Sequence, residues 1–264
     1  MKKLFIYLLP HQDDEIGVIS SLINELRTGN EVLCFYLTKS SQDIDRDNES
    51  INYFKHMNIY KRGRQVFLGS QIPIIDQSLS NNLQKVFNYI CEAICRNEKK
   101  YNRHITIIAP SFEGGHPDHD SAYVIALKII IQIKYLKLYT FPLYHSEGSL
   151  KRMFKAFQPL KSYKSEMILN KPLKKDYIKL FSSLFIFKSQ LITILVLSPF
   201  FLIRILVGFW LIDEKKNIIK FQIEKNKYKL SKPHKGIIYS EYRGWVLNYN
   251  ALLEKFNLFL NQTK

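Results

Sequence analysis

The sequence is short of cysteine, and that shortage excludes a disulfide-stabilised scaffold. Its 264 residues include three cysteines, and none of them stands in the C-x-x-C spacing of a zinc or redox motif. Cys91 and Cys95 are four residues apart on a predicted helix, where they could share a metal ion, but the pattern favours buried reduced thiols. The odd count fits a reducing compartment.

The sequence also has no recognisable signal peptide, internal repeat or low-complexity linker. After Lys2 and Lys3 the apolar run is too short for a signal peptide, and no small-residue cleavage site follows it. We therefore expect a cytoplasmic protein. A hydrophobic content of 46% and an aromatic content of 14% exclude a disordered chain. The length suffices for one domain, or one domain with an appendage, around a sizeable core.

Acidic residues are few compared with basic ones. The chain has 39 Lys and Arg against 23 Asp and Glu, which gives a formal net charge of +16. Such an excess favours an anionic partner, such as an acidic membrane surface or a phosphorylated substrate. A general preference for surface lysine would produce the same excess, and both interpretations stay open. Nucleic acid is disfavoured as a partner, because no nucleic-acid-binding motif or basic stripe accompanies the charge.

Short apolar segments alternate with amphipathic segments along residues 1–145. Leu4–Leu9 is continuously apolar, as is typical of a strand buried on both faces of a parallel sheet. The predicted strands are 4–9, 31–38, 65–68, 104–109 and 135–141, and the predicted helices are 15–26, 48–57, 79–95 and 121–133. This alternation predicts an α/β fold with a Rossmann-like, mostly parallel sheet and helices on both faces.

The chain becomes strongly apolar after residue 190. Residues 191–212 (LITILVLSPFFLIRILVGFWLI) carry one charge, Arg204, and are long enough to cross a bilayer. Pro199 near the middle and lysines on both flanks favour a bent hairpin that enters one leaflet of an anionic membrane instead. A lid over the active site, burial in the core and an oligomer interface are the alternatives.

Two polar clusters follow predicted strands directly. Residues 11–15 (HQDDE) follow the first strand, and residues 111–120 (SFEGGHPDHD) follow the fourth. Ligands bind at the carboxyl ends of strands in open α/β sheets, so the two clusters could converge. Each is ordinary by itself, the acids as a helix cap and the Gly-Gly-His-Pro stretch as a turn. Together they indicate a shared site.

Imidazoles and carboxylates are ligands that suit Zn²⁺ and similar divalent ions. A catalytic zinc ion takes three protein ligands and leaves one position for a water molecule, whose pKa it lowers to about 7. A nearby carboxylate could deprotonate that water during attack on a carbonyl, and another imidazole could stabilise the oxyanion or protonate a leaving amine. Without a cation the crowded acids would repel each other.

The two clusters resemble the motifs of the LmbE-like or PIG-L family of zinc-dependent de-N-acetylases, which act on N-acetylglucosamine-type sugars. The HPDDE-like first motif is matched by His11, Asp13, Asp14 and Glu15. The second motif, histidine–x–aspartate–histidine, is matched by His116, Asp118 and His119. The resemblance covers residues 1–145 clearly and 146–190 loosely.

The resemblance implies a role for each matched side chain. The implied ligands of Zn²⁺, or of another divalent ion such as Fe²⁺, are His11, Asp14 and His119. Asp13 would be the general base. His116 would assist the oxyanion or the leaving group, and Asp118 would orient His116.

Weaker matches add four candidate substrate-binding residues: Arg46, Glu49, Asp76 and His145. The first two resemble an arginine and a glutamate that the family has after its second strand. Asp76, with Leu68-Gly69, resembles the loop that follows, and Lys188-Ser189-Gln190 resembles a later serine–glutamine element. His145 is a candidate because it follows the fifth strand and could approach the substrate.

Gln12 departs from the family pattern, which usually has proline at that position. Proline fixes φ and stiffens a turn, whereas glutamine keeps an N–H group and more conformational freedom. Because the implied ligands are intact, we expect altered positioning rather than lost activity.

The resemblance predicts hydrolysis of the N-acetyl group of a GlcNAc-type amino sugar to a free amine and acetate. The apolar hairpin and the basic surface favour a lipid- or phosphate-linked glycan as its carrier. A metal-dependent phosphoesterase is an alternative, although two-metal versions usually need more ligands than these clusters provide. A non-catalytic anion-binding or membrane-binding protein is another, since it would explain the net charge.

The predicted organisation has three parts. Residues 1–190 form the catalytic α/β domain, 191–212 the apolar hairpin, and 213–264 a basic segment that completes the domain and ends in an amphipathic helix near 245–260. The hairpin and its flanking lysines predict peripheral contact with the inner face of a membrane. The oligomeric state is left undetermined.

Overall fold

The computed structural model describes residues 2–41, 45–147, 155–156, 160, 167–168, 177–192, 215–216, 223–224, 227–234 and 248–262. Residues 193–212, which make up nearly all of the predicted apolar hairpin, lie outside the described residues. The predicted domain boundaries at 190 and 212 therefore stay predictions.

A five-stranded parallel sheet lies at the centre of the protein. Its strands are β1 (Leu4–Leu9), β2 (Glu31–Tyr36), β3 (Gly63–Phe67), β4 (Ile105–Pro110) and β5 (Lys137–Phe141). They are arranged in the order β3-β2-β1-β4-β5, and each neighbouring pair is parallel. The direction in which the chain winds reverses between β1 and β4, where such sheets open a crevice at their carboxyl ends.

Helices and short strands complete the described structure. The helices are α1 (Ile19–Arg27), α2 (Arg46–His56), α3 (Leu68–Gln71), α4 (Leu83–Glu98), α5 (Pro117–Gln132), α6 (Tyr177–Ser183) and α7 (Tyr249–Asn261). Short 3₁₀ helices span Asp14–Gly17, Leu79–Asn81, Leu184–Ile186 and Lys188–Gln190. Two-residue strands are β6 (Tyr144–His145), β7 (Lys155–Ala156), β8 (Met167–Ile168), β9 (Lys215–Lys216), β10 (Ile223–Glu224) and β11 (Lys227–Tyr228).

The central strands are apolar throughout because both faces of the sheet are covered. β1 and β4 are buried along their whole length. Leu4 and Ile6 pack in a core cluster with α4, α5 and α7, whereas Phe5 and Tyr7 pack in a second cluster with α1, α2 and α6. Alternate side chains of a strand point to opposite faces, so one continuous apolar run serves both clusters. The predicted arrangement of helices on both faces is confirmed.

Helix α5 begins earlier than the sequence spacing predicted. It starts at Pro117 rather than near Ser121. His116 is its N-cap, with a ring nitrogen that accepts a hydrogen bond from the N–H of Asp118, and proline is favoured in the first turn because its φ is already helical. The second polar cluster therefore lies partly on the first turn of a helix and not wholly in a loop.

The three cysteines form no disulfide. Cys34 is buried in β2, whereas Cys91 is half-buried and Cys95 is exposed. The interpretation of Cys91 and Cys95 as buried thiols is therefore wrong for Cys95.

The described helices include none that is both long and apolar enough to span a membrane. One region nevertheless exposes apolar side chains. Four of the seven large hydrophobic residues that are exposed in the described structure fall within 15 positions of the chain: Ile178, Phe185, Leu191 and Ile192. These four residues are called the apolar surface below.

Candidate metal centre

The two polar clusters meet at the carboxyl edge of the sheet. The chain leaving β1 provides His11 and Asp14, and the first turn of α5, after β4, provides His119. His119 Nε2 lies 3.2 Å from His11 Nδ1 and 3.2 Å from Asp14 Oδ1. His11 Nδ1 lies 3.5 Å from Asp14 Oδ2, and all three side chains are buried. Two segments far apart in sequence therefore form one compact group.

The spacing of these atoms fits a divalent cation. Zn²⁺ binds imidazole nitrogen and carboxylate oxygen at about 2.0–2.2 Å, so neighbouring ligand atoms of a tetrahedral site lie roughly 3.3 Å apart. The separations of 3.2 to 3.5 Å match that value, and the three residues form a group that could hold a metal ion. Two imidazoles and one carboxylate leave a fourth position for water, as in catalytic zinc sites.

The charges within the group keep its carboxylate ionised. Burial alone would raise the pKa of Asp14, but the charge of His119 and hydrogen bonds from His11 and His119 hold that pKa well below its usual value. Burial alone would lower the pKa of His11, but its hydrogen bonds to Asp118 and Asp14 raise it above the usual value. The ionised carboxylate is the form that binds a metal.

The carboxylate of Asp118 lies closer to the ring of His11 than to that of His116, which the resemblance implies that it orients. Its Oδ2 lies 3.2 Å from His11 Nε2 and 3.7 Å from His116 Nδ1. The backbone N–H groups of Gln77 and Leu79 donate to the same carboxylate and hold it in place. A carboxylate on the second nitrogen of a ligand histidine fixes its tautomer and orientation. Asp118 is therefore placed to orient His11, and its backbone N–H donates to His116.

His116 stands beside the metal group as a neutral ring. Its centroid lies 4.5 Å from that of His11, in an edge-to-face arrangement. Burial, together with the nearby charge of His11, lowers the pKa of His116 well below its usual value. Because Nδ1 accepts the hydrogen bond from Asp118, the neutral ring carries its proton on Nε2. His116 can therefore donate a hydrogen bond from Nε2.

Asp13 has a backbone conformation that an L-residue rarely adopts, with φ 152° and ψ −17°. Such strain persists only where the surroundings hold it. The N–H of Asp13 donates to Glu15 Oε2 at 2.9 Å, and Arg46 donates to Asp13 Oδ1 at 3.2 Å. Burial raises the pKa of Asp13 to about 7, although the charge of Arg46 opposes the rise. A carboxylate of that pKa is suited to proton transfer near neutral pH.

Glu15, the last acid of the first cluster, contacts β2. Its Oε1 accepts a hydrogen bond from the Tyr36 hydroxyl at 3.1 Å, and that hydroxyl in turn accepts one from Gln65 at 3.1 Å. The side chain is fully buried, and burial raises its pKa to about 8. Sequence reasoning gave Glu15 no role of its own. A tyrosine hydroxyl within an otherwise apolar strand is the signal that could have indicated its partner.

Arg46 and Asp76, two of the four candidate substrate-binding residues, lie in the wall of the site. Arg46 is the first residue of α2, and its guanidinium donates to Asp76 Oδ2 at 3.0 Å as well as to Asp13. Asp76 Oδ1 lies 4.0 Å from His11 Nε2 and accepts a hydrogen bond from the Thr38 hydroxyl at 2.6 Å. Sequence reasoning missed Thr38, although a threonine directly after an apolar strand could have indicated it.

Glu49 and His145, the other two candidates, make contacts in other parts of the structure. The Glu49 carboxylate accepts hydrogen bonds from the backbone N–H and the hydroxyl of Ser189, which join α2 to the 3₁₀ turn at 188–190. The His145 ring is buried, lies 6.2 Å from the His234 ring, and accepts a hydrogen bond from the N–H of Glu147. Their assignment to the substrate stays a prediction.

A comparison with known protein families matches the part of the chain that contains the two polar clusters. Residues 6–130 match the family model described as PIG-L, GlcNAc-PI de-N-acetylase. We call residues 6–130 the PIG-L region below, because they are the part of the chain that this family model matches. The predicted resemblance is thereby confirmed. The PIG-L region runs from β1 into α5, so it contains both polar clusters and all three candidate metal ligands.

The similarity to solved structures extends beyond the PIG-L region. The A40926 pseudoaglycone deacetylase Dbv21 is 15% identical, with a TM-score of 0.55 over 82% of this chain and 96% of that chain. The zinc-inhibited form of teicoplanin deacetylase Orf2 is 11% identical, with a TM-score of 0.54 over 81% and 96%. The conserved protein TT1542 from Thermus thermophilus is 16% identical, with a TM-score of 0.53 over 85% and 97%. At these identities the likeness shows a common fold. No match was found among curated proteins.

Proposed function

We propose that this protein is a metal-dependent deacetylase that hydrolyses the N-acetyl group of a GlcNAc-type amino sugar to a free amine and acetate. The match of residues 6–130 to the GlcNAc-PI de-N-acetylase family supports the substrate class. The observation that carries the proposal is the spacing of 3.2 to 3.5 Å among ligand atoms of His11, Asp14 and His119. This donor set belongs to catalytic hydrolysis and not to a structural metal site.

The side chains around the ligands divide the chemistry between them. When bound, a divalent cation supplies a Lewis acid and lowers the pKa of water. Asp13, which is 27% exposed and so accessible to water, accepts the proton as the water oxygen adds to the acetyl carbonyl carbon. The Nε2–H of His116 donates to the carbonyl oxygen as negative charge develops there. When the C–N bond breaks, the nitrogen takes the proton from Asp13 and leaves as the amine.

Arg46 and Asp76 are proposed to orient the sugar. They form a pair of opposite charge, with atoms 3.0 Å apart, next to Asp13, in which Arg46 is buried and Asp76 half-buried. A guanidinium and a carboxylate side by side offer a donor and an acceptor to neighbouring hydroxyl groups of a sugar. Charged donors and acceptors make the stronger hydrogen bonds, which favours one orientation of the ring.

We propose Zn²⁺ as the cation, with Fe²⁺ as the other ion to be tested. Imidazole and carboxylate ligands suit either ion. A solved structure of similar fold is described as the zinc-inhibited form of teicoplanin deacetylase. Activity should therefore be measured against the concentration of each ion, because a second equivalent of zinc could inhibit where the first activates.

The glycan is proposed to be lipid- or phosphate-linked and to be presented at the cytoplasmic face of a membrane. The net charge of +16 supports an anionic partner. The apolar surface supports contact with a bilayer, because exposed large apolar side chains that fall within 15 positions of the chain are a feature of interaction sites. This segment is connected to the wall of the site, since Ser189, between Phe185 and Leu191, bonds to Glu49 on α2, the helix that begins at Arg46.

Acetate release from N-acetylglucosaminyl-phosphatidylinositol and from free N-acetylglucosamine tests the activity. With metal-loaded protein we expect release from the lipid-linked substrate, and we expect Asp13→Asn to lower turnover by about 10²- to 10⁴-fold while metal content is unchanged. Glu92→Gln, on the exposed side of α4, is the control and should retain activity. Undiminished turnover by Asp13→Asn would overturn the mechanism, and no release from any N-acetylated sugar would overturn the function.

Flotation with vesicles tests the membrane contact separately. Ile178 and Ile192 are 84% and 81% exposed, so changing both to serine should reduce binding to phosphatidylglycerol vesicles. Leu258→Ser is the control, because Leu258 is 63% exposed on α7. If the double variant and the control float equally well, the apolar surface does not bind the bilayer.

A further inference from the structure

We propose that Gln12 is a positioning residue, which holds Asp13 in its strained conformation by tying it to the ends of β2 and α2. The inference rests on the proposed function of Asp13 as the general base. Gln12 is 1% exposed, although glutamine is usually a surface residue. Its side chain therefore has to be accounted for by its contacts.

Both hydrogens of the Gln12 side-chain amide are used. Nε2 donates to the carbonyl oxygen of Thr38 at 3.1 Å and to Asp47 Oδ1 at 2.6 Å. The other oxygen of Asp47 accepts a hydrogen bond from the Ser70 hydroxyl at 2.6 Å. One side chain thus connects the loop after β1 with the end of β2, the first turn of α2 and the short helix α3.

The backbone of Gln12 closes a ring of hydrogen bonds. Its carbonyl oxygen accepts from Arg46 at 3.1 Å, and the same guanidinium nitrogen lies 3.2 Å from Asp13 Oδ1. Arg46 also donates to Asp76 at 3.0 Å, and Asp76 accepts from the Thr38 hydroxyl at 2.6 Å. The ring runs from Gln12 through Thr38, Asp76 and Arg46 back to Gln12. Asp13 is attached to it through the arginine.

The ring explains how a strained residue can be held. The φ of 152° at Asp13 is unfavourable unless surrounding contacts fix the peptide on either side. On one side, Glu15 accepts a hydrogen bond from the N–H of Asp13 at 2.9 Å. On the other side, the side chain and the carbonyl oxygen of Gln12 are fixed by their own hydrogen bonds. In the described structure, none of the Gln12 hydrogen bonds reaches a proposed metal ligand. Loss of the Gln12 side-chain amide should therefore move the Asp13 carboxylate without removing the metal.

Folding stability alone does not account for Gln12. Its Oε1 is buried and has no hydrogen-bond partner within the described structure. A buried acceptor without a partner destabilises the folded protein. An apolar side chain of the same length would avoid that cost. Replacement of Gln12 by methionine removes that cost but also removes the donor to Thr38 and Asp47, so its Tm is measured beside its kinetics.

Kinetics of Gln12→Met with the lipid-linked substrate test the proposal. We expect kcat to fall about 10- to 100-fold, because a misplacement of about 1 Å of a catalytic group has an effect of that size, with KM and zinc content close to those of the parent protein. Gln84→Met, on the exposed side of α4, is the matched control. Unchanged kcat, or a rise in KM with kcat unchanged, would overturn the proposal.

Exchanging the donor and the acceptor of the hydrogen bond between Gln12 and Asp47 provides a rescue experiment. Gln12→Glu places an acceptor opposite Asp47 and should lower kcat at least as far as Gln12→Met. Adding Asp47→Asn restores a donor opposite that acceptor and should recover part of the loss. If the double variant is no more active than Gln12→Glu, the tie to Asp47 is not what positions Asp13.

A crystal structure of zinc-loaded Gln12→Met separates failure of this inference from failure of the proposed function, because it does not depend on turnover. We expect the Asp13 φ to leave the region near 152° and the hydrogen bond from Arg46 to be lost. An unmoved Asp13 would overturn the inference even if the protein is a deacetylase. A moved Asp13 in a protein without deacetylase activity would support the positioning role and overturn the function.

Discussion

The two halves of the metal centre are held in place by different means. His119 lies in the first turn of α5, a helix of 16 residues whose side chains are buried from Pro117 to Ile129. His11 lies in the irregular segment after β1, and Asp14 begins the 3₁₀ turn that follows, next to the strained Asp13. Packing of a helix fixes the first half, whereas hydrogen bonds between side chains fix the second.

The helical half depends on the core and on one buried acid. Asp120 Oδ1 accepts from the backbone N–H groups of Glu113 and Gly114, at 3.2 Å each, and its Oδ2 accepts from the Tyr249 hydroxyl at 2.9 Å. These bonds join the turn before α5 to α7. Burial nevertheless raises the pKa of Asp120 to about 7.

The loop half depends on long-range polar contacts. Arg46, Gln12 and Glu15 surround Asp13, and Asp118 reaches across from α5 to the ring of His11. Substitutions around the loop should therefore change metal binding or catalysis. Substitutions of residues that support helix α5 should change the stability of the fold.

The largest expected effect comes from removing a ligand from either half. His11→Ala and His119→Ala should each weaken zinc binding by more than about 100-fold, because even loss of an outer partner costs 10- to 100-fold. Titration with a competing chelator measures the affinity. His104→Ala, which removes an exposed histidine at the opposite edge of the sheet, should bind zinc like the parent. If only one ligand variant lost zinc, the two halves would not share an ion.

The second effect tests whether the helical half controls the loop half. In Asp118→Asn the new amide presents N–H to His11 Nε2, which must then accept, and the ring would carry its proton on the nitrogen that faces the metal group. We expect zinc affinity about 10- to 100-fold lower, with the fold retained. Glu254→Gln on the exposed side of α7 is the control. An affinity equal to that of the parent would show that Asp118 does not orient His11.

The smallest effect concerns stability. Tyr249→Phe removes one buried hydrogen bond to Asp120 and should lower the free energy of unfolding by about 1 kcal/mol, with zinc affinity unchanged. Urea denaturation of the metal-free protein measures it. Tyr60→Phe, at a residue 47% exposed, should have little effect. A loss of zinc affinity in Tyr249→Phe without a loss of stability would contradict the distinction between the two halves.

Sequence patterns predicted the sheet well because its strands are buried on both faces. Leu4–Leu9 was predicted to the residue, since a continuous apolar run of this length that stops at Pro10 is typical of a buried strand. The start of α5 was placed four residues too late. The polar residues of its first turn hid the helical spacing, although Pro117 after a capping residue is itself a start signal.

The candidate ligands were predictable because ligand chemistry requires particular residue types, which the two motifs display. Their supports were not predictable. Gln12 and Thr38 are 26 positions apart, and His11 and Asp118 are 107 apart. Neither pair has a periodicity or a spacing that would relate its members before the strands are placed side by side.

The sequence by itself determined which residues could bind a metal ion and which segments would be buried strands, because side-chain chemistry and apolar patterning are local properties. The tertiary structure alone decided that Asp118 faces His11, that Glu15 bonds to Tyr36 and that Gln12 closes a ring around Asp13. Those contacts exist because parallel packing brings the carboxyl ends of β1, β2 and β4 to one edge, and a hydrogen bond forms only where that geometry places donor and acceptor about 3 Å apart.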